Sequence, residues 1–173
     1  VTDAVGSIGG TFNLGGISGL TLVENNASAN NIGGGNDVQT FANVGSAANV
    51  SVKNTSGDTL VNYTDAALAG STDAVKLALD NVGGGAKISL NPASGANGIE
   101  TLTVALAGAA GSASQAVTAV TISSNAPTSK LVMTGSGAAN LVLDSTLANT
   151  ALIDASATTG GVVLSAVGNV AHS

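Results

Sequence analysis

The second half of this chain keeps a beat. Leu131, Leu141, Leu152 and Val163 recur every ten to eleven residues, each in a short apolar run followed by a turn of Gly, Ser, Ala or Thr. Two architectures fit that beat. In a β-solenoid, coils of about 20 residues stack their apolar positions on the preceding coil. In a β-sandwich, short strands at similar spacing alternate between hairpins. Periodicity alone leaves both open, and composition tilts the choice. The chain has 24 Gly, two Phe, one Tyr and no Trp. Val, Ile, Leu and Ala fill a narrow coil, and Gly, Ser and Asn suit its tight corners. We therefore expect an all-β fold, with a parallel β-helix or β-solenoid favoured over a β-sandwich.

Alternating or β-branched runs predict strands at 49–52, 59–63, 87–90, 101–106, 116–122, 130–133, 140–143, 151–153 and 162–164. A short helix or turn is expected around 65–69, followed by a strand over 74–80, where Val75, Leu77 and Leu79 alternate. Residues 1–44 are punctuated by Gly and Asn and read as loop, turn and short strand, with apolar runs at 11–14 and 19–23. The chain divides into a Gly/Asn-rich segment with acidic turns, 1–97, and a repeat-bearing segment, 98–173, expected to form one continuous domain. It begins at Val1 without Met, which suggests a processed form or a piece of something longer.

Charge narrows the function classes. Ten carboxylates face four Lys and no Arg, giving a net charge of −6. No basic patch for nucleic-acid phosphates or an anionic membrane surface can be assembled. The uncharged stretch 101–129 is interrupted by Ser, Thr, Gln and Asn, so it lacks the apolar block of about 20 residues that a membrane span needs. With no Cys, disulfides and thiolate chemistry are absent, and the single His is His172, near the C-terminus. No catalytic constellation is visible, and no enzyme is expected. The Gly-rich runs 33–35 and 83–85 lack the Lys-Ser/Thr that a phosphate loop requires.

Several runs resemble known elements. Gly98-Ile99-Glu100-Thr101-Leu102-Thr103-Val104 is similar to the IETLTV element of bacterial surface-layer (S-layer) proteins and related type I-secreted, RTX-associated surface proteins. The run from Leu152-Ile153-Asp154-Ala155-Ser156 to Thr159-Gly160-Gly161-Val162 resembles their DAS…TGG element. Runs 131–137 and 140–143 resemble the rung before it. The resemblance spans roughly 98–170. It implies a secreted, calcium-dependent protein of the bacterial cell surface, assembling with copies of itself or with neighbouring domains and contacting cell-surface polysaccharide. The tandem G-G-x-G-x-D calcium repeats are not present. Gly33-Gly34-Gly35-Asn36-Asp37 lacks one residue of that spacing and does not recur.

Acidic turns are the candidate calcium ligands: Asp58, Asp65, Asp73 and Asp80, then Asp37 and Asp154. Calcium takes six to eight oxygens, several from carboxylates. Two or three of these Asp would converge if their turns stack. The competing reading is that each closes its own turn through an Asx-type hydrogen bond. Asp154 is expected at a strand-to-turn corner, with Asp144 as its match one rung earlier. The sequence reading is thus a self-assembling structural component of a surface array. The alternative is an adhesin or carbohydrate-binding β-sandwich, although Phe12, Phe41 and Tyr63 are its only aromatics.

Overall fold

The computed structural model describes residues 2–4, 9–27, 37–94, 97–108 and 119–166. The predicted strand residues 116–118, the Gly33–Asn36 run, His172 and the end of the repeat segment lie outside them. Fourteen strands are formed among the described residues: β1 (Thr2–Ala4), β2 (Thr11–Asn13), β3 (Leu22–Asn26), β4 (Val38–Val44), β5 (Asn49–Thr55), β6 (Asp58–Tyr63), β7 (Ala74–Val82), β8 (Lys87–Pro92), β9 (Thr101–Leu106), β10 (Val120–Ser123), β11 (Lys130–Gly135), β12 (Ala139–Leu143), β13 (Leu152–Thr158) and β14 (Val162–Ala166). Odd strands build one seven-stranded sheet and even strands build another. Each registered pair is parallel, as in β3 with β5 and β6 with β8. The chain crosses from one sheet to the other at every corner and advances one strand per circuit, which is a flattened β-solenoid. A sandwich built from hairpins would need antiparallel neighbours.

The ten-to-eleven-residue beat is half a coil. Leu131 pairs with Ile153 in the odd sheet, and Leu141 with Leu164 in the even one. Coil length varies because the corners differ. Hydrogen bonds between adjacent coils join residues 20 apart (Ser124 and Asp144), 27 apart (Asn54 and Asn81) and 34 apart (Ser89 and Ser123). Both sheets run without a break past residue 97, so the two composition zones belong to one solenoid.

The core consists of columns running along the solenoid axis. Val23, Val50, Leu77, Val104 and Met133 stack in register on the odd sheet, each essentially without solvent exposure. Ile88, Ile122 and Leu143 do the same on the even sheet. Side chains alternate in and out along each strand, so Thr101–Leu106 buries Leu102, Val104 and Leu106. Each fully buried aliphatic contributes about 1.5–3 kcal/mol. Phe12 stacks on Phe41 with centroids 5.9 Å apart. Tyr63 is buried and donates from its hydroxyl to the carbonyl of Ala48 at 2.8 Å. Burial pushes its pKa upward, so it stays a neutral donor.

Two predicted features differ. Val38–Val44 lies in the stretch read as loop, yet forms a full strand that buries Gln39, Phe41 and Val44. Its polar inward residue, Gln39, hides the alternation. A short helix, α1 (Ser145–Ala148), also occupies what looked like a simple turn. The 65–69 expectation appears as a single 3-10 turn over Asp65–Leu68, which buries Leu68.

One corner is built from glycine. A Cβ on Gly137 would collide with the carbonyl oxygen of Gly108, and one on Gly160 with the backbone of Ser136 and Gly137. Three coils thus pass close together at positions that admit no side chain. Gly137→Ala should lower stability by about 1–3 kcal/mol. Gly45→Ala, which meets open space, should be near neutral. Urea unfolding midpoints at equal m-value distinguish the two.

Candidate functional site

The six candidate calcium ligands are dispersed along the solenoid. Asp58 opens β6, and its Oδ1 accepts from the Lys87 backbone N–H at 2.7 Å, one coil on. Asp65 opens the 3-10 turn, and its Oδ1 accepts from Ser94 N–H at 2.9 Å. The Asp73 carboxylate accepts from Gly70 N–H at 2.9 Å, while its own N–H donates to Glu100 Oε2 at 2.8 Å. Asp80 is exposed on β7, with its carboxylate where a Cβ on Gly108 would lie. Asp37 offers its carbonyl to Asp58 N–H at 2.9 Å. Among the described residues, no three His, Cys, Asp or Glu side chains gather to hold a metal ion. Of the six, Asp37 and Asp58 are brought side by side on adjacent coils.

The carboxylates instead join coils. Asp58, Asp65 and Glu100 each accept from a backbone N–H of a neighbouring coil. Asp144 combines such a bond with a local helix cap. Its Oδ1 caps α1 by accepting from Leu147 N–H, and its Oδ2 takes Ser124 N–H from the coil before. Such charge-assisted bonds are stronger than neutral ones. Asp73 closes its own local turn, as the Asx reading expected, and Asp154 bonds locally to Ser156.

Asp154 is not at a corner, and Asp144 is not its counterpart. Asp154 lies inside β13, beside Val132 of β11, whereas Asp144 follows β12 on the other sheet. Between Val132 and Thr134 the register shifts by one residue, which makes β13 bulge. Asp154 Oδ1 holds the bulge by accepting from the Ser156 N–H at 3.0 Å and its hydroxyl at 2.7 Å. These bonds hold the Asp154 carboxyl below its ordinary value of 3.8.

Asn26 ends β3, and Asn54 lies near the end of β5. The structure makes them part of an amide ladder. Asn54 Nδ2 donates to Asn26 Oδ1, and Asn81 Nδ2 donates to Asn54 Oδ1, both at 3.2 Å. Asn54 and Asn81 each adopt φ of +53°, a left-handed conformation that Asn tolerates better than most residues. On the other sheet Asn43, at φ +58°, donates to Asn13 at 3.0 Å. The legible signal was the equal spacing of Asn54 and Asn81 with Val50 and Leu77.

The outer face of the even sheet carries a shallow depression of about 330 Å³, lined by Val38, Asp58, Leu60, Lys87, Ser89 and Asn91. It brings a carboxylate, an ammonium, a hydroxyl and an amide together over two aliphatic side chains. Among the described residues, no helix is long and apolar enough to cross a membrane. Comparison with protein-family models, curated proteins and solved structures finds no match to this chain.

Two outcomes check the ladder and the bulge. Asn54→Ala should cost about 1–3 kcal/mol, because it removes two ladder bonds and leaves a Cβ at positive φ. Asn54→Gly, which relieves the backbone, should cost less, and thermal melts rank the pair. The Asp154 carboxylate stabilises the fold above its unfolded pKa, and that contribution is lost as pH falls through the lower folded value. Ser156→Ala should move its NMR titration midpoint upward and narrow that acid window.

Proposed function

We propose that this chain is a non-enzymatic structural segment of a bacterial cell-surface array, secreted and working outside the cell by assembling end to end with copies of itself. One observation supports this most directly: among the described residues, apolar side chains that face inward or flank the core are exposed in the first and last coils. Phe12 faces inward in register with Phe41, yet is 38% exposed. Leu164 faces inward in register with Leu141, yet is 36% exposed. Leu152 and Val163 stand beside it, 50% and 61% exposed. Among the described residues, the outermost strands β13 and β14 each have a single strand neighbour. An uncovered strand edge above an apolar interior is a surface for further strand pairing.

The likeness of 98–170 to S-layer and RTX-associated proteins points the same way. Calcium, in this reading, acts between copies. The carboxylates are dispersed and the net charge is −6, so a divalent cation would relieve repulsion where acidic corners of two molecules meet. Cell-surface polysaccharide would lie in the polar depression on the even sheet.

Sedimentation at rising protein concentration, with calcium and with chelator, tests the proposal. Higher-order species favoured by calcium are expected. Leu164→Glu, which places a charge at the open end, should return the chain to monomers without changing its far-UV circular dichroism. A chain that stays monomeric at high concentration with calcium present would overturn self-assembly for this segment. A melting temperature and calorimetric trace indifferent to calcium and chelator would remove the calcium role.

A further inference from the structure

Three buried polar side chains interrupt columns that are otherwise aliphatic. On the odd sheet Asn25 stacks below Val52, Leu79 and Leu106. On the even sheet Gln39 and Thr59 stack below Ile88, Ile122 and Leu143. Asn25 is 0% exposed, and Gln39 and Thr59 are 1% exposed. They meet inside the coil. Asn25 Nδ2 donates to Thr59 Oγ1 at 2.8 Å across the interior, and Thr59 sits beside Gln39 in the neighbouring strand. Gln39 Nε2 donates to the carbonyl of Gly10 at 3.0 Å.

The bonding is incomplete on one side. Asn25 Oδ1 and Gln39 Oε1 are both buried acceptors with no hydrogen-bond donor. A buried polar group left unpaired is strongly disfavoured, and most such groups are satisfied by protein or by an ordered water. What the cluster lacks is a small group that donates twice. The Thr59 hydroxyl, whose oxygen already accepts from Asn25, retains a proton to give. A water fits that demand: it donates two hydrogen bonds and accepts from a hydroxyl. A calcium ion fits poorly, because none of the three residues is a carboxylate and Glu24, next to Asn25, is paired with Lys53 at 2.8 Å.

We infer that one internal water is bound between the second and third coils, donating to Asn25 Oδ1 and Gln39 Oε1 and accepting from Thr59. It completes a polar plug that marks these coils. A chain slipped by one coil would set Asn25 and Gln39 among aliphatic partners that cannot satisfy them.

A high-resolution crystal structure of the unaltered chain, grown with calcium, tests this together with water-to-protein NOEs in solution. A single peak at hydrogen-bond distance from both oxygens, without anomalous signal, is expected, with long-lived NOEs to the Asn25 side-chain amide. An empty interior, a direct Asn25–Gln39 amide bond, or an anomalous peak from calcium would each overturn it. Gln39→Met removes one acceptor at similar volume and should weaken or abolish the peak and the NOE. The double variant N25L/Q39M should abolish both. Persistence of the peak in Gln39→Met at full occupancy would mean that other groups hold it, and the assignment would fall. The single variant keeps the test open if the double variant does not fold.

Discussion

Each inward-facing residue of this solenoid rests on the equivalent residue one coil away. Parallel in-register pairing imposes that condition at every position of both sheets, so a residue type must tolerate its neighbour in the column. Aliphatics do so at once, and the Val23–Val50–Leu77–Val104–Met133 column is the result. Amides do so because each carries a donor and an acceptor, and Asn54 uses both, donating to Asn26 and accepting from Asn81. Charges do so badly, since like charges side by side repel. The chain has few of them, 8% of its residues, and sets opposite signs together: Asp58 lies against the Lys87 backbone, and Lys53 pairs in register with Asp80. The small, uncharged composition and the stacked architecture are two sides of one constraint.

That constraint also separates what could be read in the sequence from what could not. Strands such as Thr101–Leu106 and Lys87–Pro92 announce themselves, because inward aliphatics alternate with outward Thr, Ser or Asn. The late beat is legible because coils there are short and their corners similar. Earlier coils hide the same regularity. Val23, Val50, Leu77 and Val104 are evenly spaced, but neighbouring corners of unequal length blur the pattern in the other sheet. Val38–Val44 escaped because Gln39 is polar where alternation demands an apolar residue. The placement of Asp144 and Asp154 on different sheets follows from which half-coil each occupies, which spacing alone does not reveal. Asp58 and Asp65 sit where strands and turns begin, but their backbone partners lie in the next coil, and no local motif encodes that.

The elements that resemble surface-layer proteins acquire a mechanical explanation. In the DAS run, Asp154 and Ser156 stabilise an added residue in a strand. In the TGG run, Gly160 continues a corner where backbone stacks on backbone. The IETLTV run is a strand whose Glu100 reaches back to the preceding coil. Each is what a parallel coil needs at that place.

The bulge in β13 has a consequence for the shape of the final coil. β14 follows β12 residue for residue from Val162 to Ala166, while β13 carries one extra residue opposite β11. The two edges at that end are thus unlike. The β14 edge offers an even row of backbone donors and acceptors, and the β13 edge is interrupted at Asp154–Ser156. Anything added in register to both would need a matching irregularity on one side only. The last described coil therefore has two unlike edges, like a key cut on a single side.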